Sequence, residues 1–289
     1  MFAIAVEEQQ YKTYILSDQA TPSRLEVVPE RGGMITRWQY CGHDLLYLDA
    51  GRFANPNLSV RGGIPILFPI CGNLPNDLYT YRGREYKLKQ HGFARDLPWR
   101  VSDRNTQEGV SITLILESND FTRSLYPFDF ELAFTYTLKG NILEIDQRYT
   151  NHSQENMPFA TGLHPYFWTA DKSQLQFKIP AVQFYDQTTH RKHPFTGTFD
   201  FDRPEIDAAF TKVTGLAATV RDHQRQLQVR MLYKASYSNL VFWTIEGKEF
   251  YCLEPWSSPR NALNTGQHLI RLAPGDKWET QVRLSVDFF

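Results

Sequence analysis

Period-two alternation runs through this chain, and a sustained helical period does not. Near the C-terminus Trp278, Thr280, Val282, Leu284, Val286 and Phe288 alternate with Glu279, Gln281, Arg283, Ser285 and Asp287, the pattern of a strand with one buried face. Phe130, Leu132, Phe134, Tyr136 and Leu138 repeat it, and Gly140-Asn141 separates them from Leu143, Ile145, Gln147 and Tyr149. That spacing predicts a hairpin with a two-residue primed turn. Val110-Ile112-Leu114-Leu116, Leu227-Val229-Met231-Tyr233 and Leu240-Phe242-Thr244 alternate likewise, the last followed by a turn at Glu246-Gly247-Lys248 and a strand from Phe250. Phe, Tyr and Trp make up 14% of the residues, a composition suited to pleated, half-buried surfaces.

One helical turn is expected, over Glu205–Phe210 after Pro204. No βαβ alternation, repeat or Gly/Ser/Pro linker interrupts the strands. A length of 289 residues would allow two domains. The uninterrupted patterning instead predicts an all-β, large single-domain antiparallel β-sandwich over residues 1–289.

Charge excludes one class of partner. Lys plus Arg total 31 against 32 for Asp plus Glu, so no strong field attracts a polyanion, and nucleic acid is not expected. Residues 1–10 lack the basic flank of a secretory signal. The longest apolar stretch, residues 64–71, is broken by Pro65 and Pro69 and is far shorter than the roughly 20 residues of a membrane span. The chain reads as soluble and cytoplasmic, without a membrane partner. Cys41, Cys71 and Cys252 form no CxxC, which speaks against a disulfide framework or a zinc knuckle.

GxGxxG, GxxxxGK[ST] and GxSxG are all missing, against dinucleotide, nucleotide and serine-hydrolase chemistry. His190-x-x-His193 has metal-ligand spacing but lies in a polar, unpatterned stretch, and reads as a solvated loop. No metal site is predicted.

Four other segments place polar residues in apolar or aromatic surroundings: Arg61-Gly62-Gly63-Ile64-Pro65, His91-Gly92-Phe93-Ala94-Arg95 with Leu97-Pro98-Trp99, Gly162-Leu163-His164-Pro165-Tyr166-Phe167, and Glu254-Pro255-Trp256. A carboxylate such as Glu254, ending an apolar strand, must be paired, hydrogen-bonded or shifted in pKa. Each segment alone also suits a plain structural role. Together, and in this order, they resemble the aldose 1-epimerase family, the galactose-mutarotase-like proteins, including the branch that acts on hexose 6-phosphates.

The resemblance implies a large β-sandwich with a sugar cleft across one sheet. It implies His164 as general acid, Glu254 as general base and His91 as a second histidine that hydrogen-bonds the ring or C1 oxygen. Asp207 matches an aspartate that binds sugar hydroxyls, and Trp256 is a candidate to lie against the sugar's C–H face, with Tyr166, Phe167 and Trp168 as further candidates. Anomer exchange moves a proton off the C1 hydroxyl and another onto the ring oxygen, and a carboxylate with an imidazole near 6.5 can do both. The reaction is redox-neutral, so no cofactor is expected.

The substrate is a small sugar or a sugar phosphate. Arg61 and Arg95 match phosphate-binding positions of the hexose-6-phosphate branch. The segments around His164 and Glu254 look closer to the general branch, and the balanced charge suits a neutral sugar, so the sequence favours a free aldose. The extra segment of residues 73–89 could alter the cleft. A non-catalytic carbohydrate-binding protein is the alternative of another class, opposed by the presence of both His164 and Glu254. A glycoside hydrolase using Glu254 with Asp207 is a third.

Overall fold

Three antiparallel sheets form the body of the computed structural model, which describes all of residues 1–289. One eight-stranded sheet runs in the order Leu175–Lys178, Ala217–Asp222, Leu227–Tyr233, Lys277–Phe288, Ile142–Asn151, Phe130–Lys139, Val110–Glu117 and Arg100–Asn105. The second runs Arg191–Pro194, Gln183–Asp186, Glu205–Phe210, Asn239–Ile245, Phe250–Trp256, Gly162–Leu163 and Ile66–Leu67, with Tyr166–Trp168 also pairing to Phe250–Trp256. A five-stranded meander from Phe2–Glu8 to His43–Asp44 makes the third.

The expected alternation is what packs these sheets. In Lys277–Phe288, Thr280, Val282, Leu284 and Val286 are buried, and the partner strands present Leu143, Ile145 and Met231 on the same side. Phe177 of the first large sheet packs at ring-centroid distances of 5.0 Å and 5.8 Å from Phe242 and Tyr251 of the second. These rings belong to a continuous apolar cluster of 56 buried residues, each large side chain contributing about 1.5–3 kcal/mol by leaving water. The hairpin at residues 139–142 closes as expected, with Lys139 opposite Ile142 and Gly140 at φ 58°.

Glu205–Phe210 is a strand and not a helical turn. Ile206, Ala208 and Phe210 face the core while Glu205 and Asp207 lie on the other side. All six residues pair with Asn239–Ile245, and that ladder overrides a local pattern too short to separate period 2 from period 3.6. The His190 and His193 reading also changes. His190 sits exposed in a turn at φ 56°, and His193 lies on the strand Arg191–Pro194 with Nε2 3.9 Å from an Asp186 oxygen.

The second large sheet has two apolar faces. In Phe250–Trp256, Tyr251 and Leu253 enter the main core, whereas Cys252, Glu254 and Trp256 point the other way, yet every residue of the strand is buried. Loops cover that second face. One of them turns at His91-Gly92, where Gly92 has φ +73° and an added Cβ would stand 2.1 Å from the Phe68 carbonyl oxygen. Gly83, at φ +76°, has nothing within 4 Å of the same position.

Gly83→Ala should therefore cost only the left-handed backbone term, about 1–2 kcal/mol. Gly92→Ala should cost ~3 kcal/mol or more, because backbone must also move. Equal losses in urea unfolding would show that the approach of Gly92 to Phe68 places no constraint on the loop.

Candidate active site

The register of the second sheet puts His164 opposite Glu254. Gly162 pairs with Trp256 and Tyr166 with Cys252, which leaves residue 164 facing residue 254. At this point the chain pulls away from the ladder, since the His164 N–H donates to the Pro65 carbonyl at 3.0 Å. The side chains still meet, with His164 Nε2 3.3 Å from Glu254 Oε1. The second carboxylate oxygen accepts from Trp256 Nε1–H at 3.0 Å, and the imidazole stacks on Tyr166 at 4.7 Å and 9°. His164 Nδ1 has no partner.

His164 and Glu254 sit in a cleft of about 370 Å³. Arg61, His91, Arg95, Asp207 and Trp256 line it too, so all seven site residues predicted from the sequence converge there. Of the other aromatic candidates Tyr166 reaches the cleft, Phe167 packs on Tyr251 in the core, and Trp168 lies under Arg225 elsewhere. His91 is held at φ 68°, with its N–H on the Gly72 carbonyl and Nδ1 accepting from the Gly72 N–H. A neutral ring bonded in this way carries its proton on Nε2. Burial, then Arg95 and His164, pushes the His91 pKa well below its ordinary value and keeps the ring neutral.

Sequence reasoning missed Arg52, Gln90, Glu205, Trp243 and Arg260, which also line the cleft. Trp243 could have been found, because Val241 and Trp243 make the second face of Asn239–Ile245 as apolar as the first. Arg260 carries no such signal. It is fixed by Asp207 at 2.7 Å, Asn73 at 3.1 Å and the face of Trp256 at 5.5 Å. The inserted segment of residues 73–89 touches the cleft through that Asn73 contact; the rest forms a hairpin, Leu78–Tyr81 with Arg84–Lys87, that does not line it.

Three of the four cleft arginines have no ion-pair partner. Arg52 donates to the Ser59 carbonyl, Arg95 to the Gln90 carbonyl, and Arg61 lies over Trp243 at 5.7 Å. Arg95 Nε is buried with no acceptor at all. The loop that carries Arg52 and Arg61 hangs from Arg31. This buried guanidinium donates to the carbonyls of Arg52, Phe53, Asn55, Pro56 and Leu58 at 2.5–3.4 Å.

Burial raises the Glu254 pKa well above the usual carboxylate range, and Asp207 adds to this while the Trp256 hydrogen bond opposes it. Burial also lowers His164 to about 3, with Arg95 as the next cause. Burial thus favours a neutral imidazole beside a protonated carboxyl, a pair holding one titratable proton and no net charge. An ordinary imidazole value near 6.5, which the sequence reading used, does not apply to this buried ring.

The Aldose 1-epimerase family model matches residues 21–285. The chain belongs to the aldose 1-epimerase family. The Slr1438 protein of Synechocystis is 44% identical, with complete coverage of both chains and a TM-score of 0.95. A provisionally named glucose-6-phosphate 1-epimerase of Cenchrus ciliaris is 25% identical over 92% of this chain and 86% of its own. A galactose mutarotase-like protein of Clostridium acetobutylicum shares the fold at a TM-score of 0.84 and 18% identity, covering 100% and 99% of the two chains. No helix is long and apolar enough to cross a membrane.

Because the folded His164 refuses a proton that the unfolded chain takes near 6.5, this group withdraws stability as pH falls from about 6.5 towards 3. In the free protein its imidazole NMR signals should not titrate between pH 8 and 5. A midpoint near 6.5 would overturn the neutral-pair assignment.

Proposed function

We propose that the protein interconverts the α and β anomers of a hexose 6-phosphate, with His164 and Glu254 as the acid–base pair. The observation that carries this reading is the 3.3 Å pair at the base of a cleft whose walls present Arg52, Arg61 and Arg95 without carboxylate partners.

Ring opening removes a proton from O1 and delivers one to O5. The pair supplies both transfers if it holds one proton: Glu254 as carboxylate accepts from O1–H while protonated His164 donates to O5. The pair is then left as carboxyl and neutral imidazole, the distribution that burial favours. Rotation about C1–C2 and the reverse transfers close the ring as the other anomer. His91 Nε2–H is available as a neutral donor to the oxygen on which charge develops.

A phosphate makes the charge-separated start accessible. O5 and the phosphorus are four bonds apart, so the acid serving O5 must lie near the cation that holds the phosphate. Arg95 is near enough to His164 to depress its pKa. A bound dianion offsets Arg95 and favours imidazolium. Whole-chain charge balance pointed to a neutral sugar, but the local count favours an anion: four arginines face Glu205 and Asp207 once Glu254 holds its proton. Charge-assisted hydrogen bonds of about 1.5–3 kcal/mol each make more than tenfold discrimination ordinary.

The test is NMR anomer exchange on glucose 6-phosphate, glucose and galactose. Acceleration should be at least tenfold greater, as kcat/KM, on the phosphorylated sugar. Arg95→Gln should erase that preference, and His164→Gln and Glu254→Gln should each lose about 10²–10⁴-fold. Preferential action on unphosphorylated sugars would sink the substrate assignment, and no acceleration of any sugar would sink the reaction. The phosphate's own ionisation near pH 6 is allowed for by comparing variants at a single pH of 7.5.

A further inference from the structure

Anomer exchange uses no nucleophile, yet a thiol stands beside its acid–base pair. Cys252 is two residues before Glu254 on the same face of the strand Phe250–Trp256 and lies in register with Tyr166, two residues after His164. One ligand atom from each of His164, Cys252 and Glu254 falls within 4.8 Å of the others. All three side chains are buried.

We propose that His164, Cys252 and Glu254 form a site for a thiophilic divalent cation, zinc above all, and that its occupation shuts off the cleft. The donor set is one imidazole nitrogen, one sulfur and one carboxylate oxygen, the mixture that suits zinc and not magnesium or calcium. Metal–ligand lengths of about 2.0–2.3 Å in a tetrahedron give ligand–ligand edges of roughly 3.3–3.6 Å. The imidazole and carboxylate already stand at such an edge, 3.3 Å apart, without a hydrogen bond joining them. The thiol has to close only the remaining difference, from a separation of at most 4.8 Å. Trp256 Nε1–H, which holds the other carboxylate oxygen, orients that ligand as outer partners of metal sites do. His164 and Glu254 line the cleft, from which a water would supply the fourth ligand.

Binding exchanges two protons for the metal: the Cys252 S–H and the Glu254 carboxyl O–H bonds break, sulfur–zinc and oxygen–zinc bonds form, and both protons leave to solvent, so affinity rises with pH. Both members of the acid–base pair become ligands, which leaves neither free to move a proton. The inhibitory consequence rests on the anomerase reading, whereas the binding itself does not.

The experiment titrates the untagged protein with Co²⁺ as a spectroscopic stand-in and with Zn²⁺ in competition. A near-ultraviolet thiolate-to-cobalt charge-transfer band should appear at one equivalent and be erased by Zn²⁺ and by EDTA. Cys252→Ser should lose the band and weaken Zn²⁺ binding at least about tenfold, and His164→Asn should weaken it as well. In the anomer-exchange assay Zn²⁺ should compete with sugar, Mg²⁺ should have no effect, and Cys252→Ser should retain turnover while resisting zinc. No band, or a band and zinc affinity unchanged in either variant, overturns the proposal. Binding without any anomerase activity would instead uphold the site and refute the function.

Discussion

Everything in the cleft depends on a strand register. With Gly162 opposite Trp256 and Tyr166 opposite Cys252, a histidine and a glutamate far apart in sequence face each other across one ladder on the side away from the core. A slip of one residue would send Glu254 into the apolar interior and bring Leu253 to the cleft. The main core prevents that slip, because Tyr251 and Leu253 belong to its continuous cluster. The pair is thus located by packing on the opposite face of its own strand. Burial then does the electrostatic work, pushing a carboxyl up and an imidazole down, which favours the pair's proton on Glu254.

Around this dry centre the cleft is cationic, though the chain as a whole is not. Asp207 fixes one arginine, while backbone carbonyls hold two others and leave them without a counter-charge. Such a wall is poorly satisfied when empty and well satisfied by an anion. The same geometry links binding to chemistry, since the cation that would hold the phosphate is also one that keeps His164 from charging.

Much of this was legible in the sequence, for physical reasons that differ by residue. Strands such as Lys277–Phe288 announce themselves because one face is wet and the other dry. Phe250–Trp256 does not alternate, since both of its faces are covered, and there the acid in an apolar run was the signal. Glu205–Phe210 misled because six residues carry too little periodicity, and its identity comes from a partner strand about 35 positions away in sequence. Arg260 was invisible for the same kind of reason: its importance lies in a contact with Asp207 that no local pattern encodes. Ligand spacing in the sequence singles out only His190 and His193, while the cluster of nitrogen, sulfur and oxygen donors lies at residues 164, 252 and 254, joined only by register.

The loop over the cleft is suspended by its main-chain carbonyls from Arg31, and the side chains of Asp49, Arg52 and Asn55 tie its own backbone. The exposed side chains at positions 54, 57 and 58 make no hydrogen bond and can be exchanged in evolution or by design without redrawing the loop's path, so the outline of the mouth stays fixed while its surroundings vary.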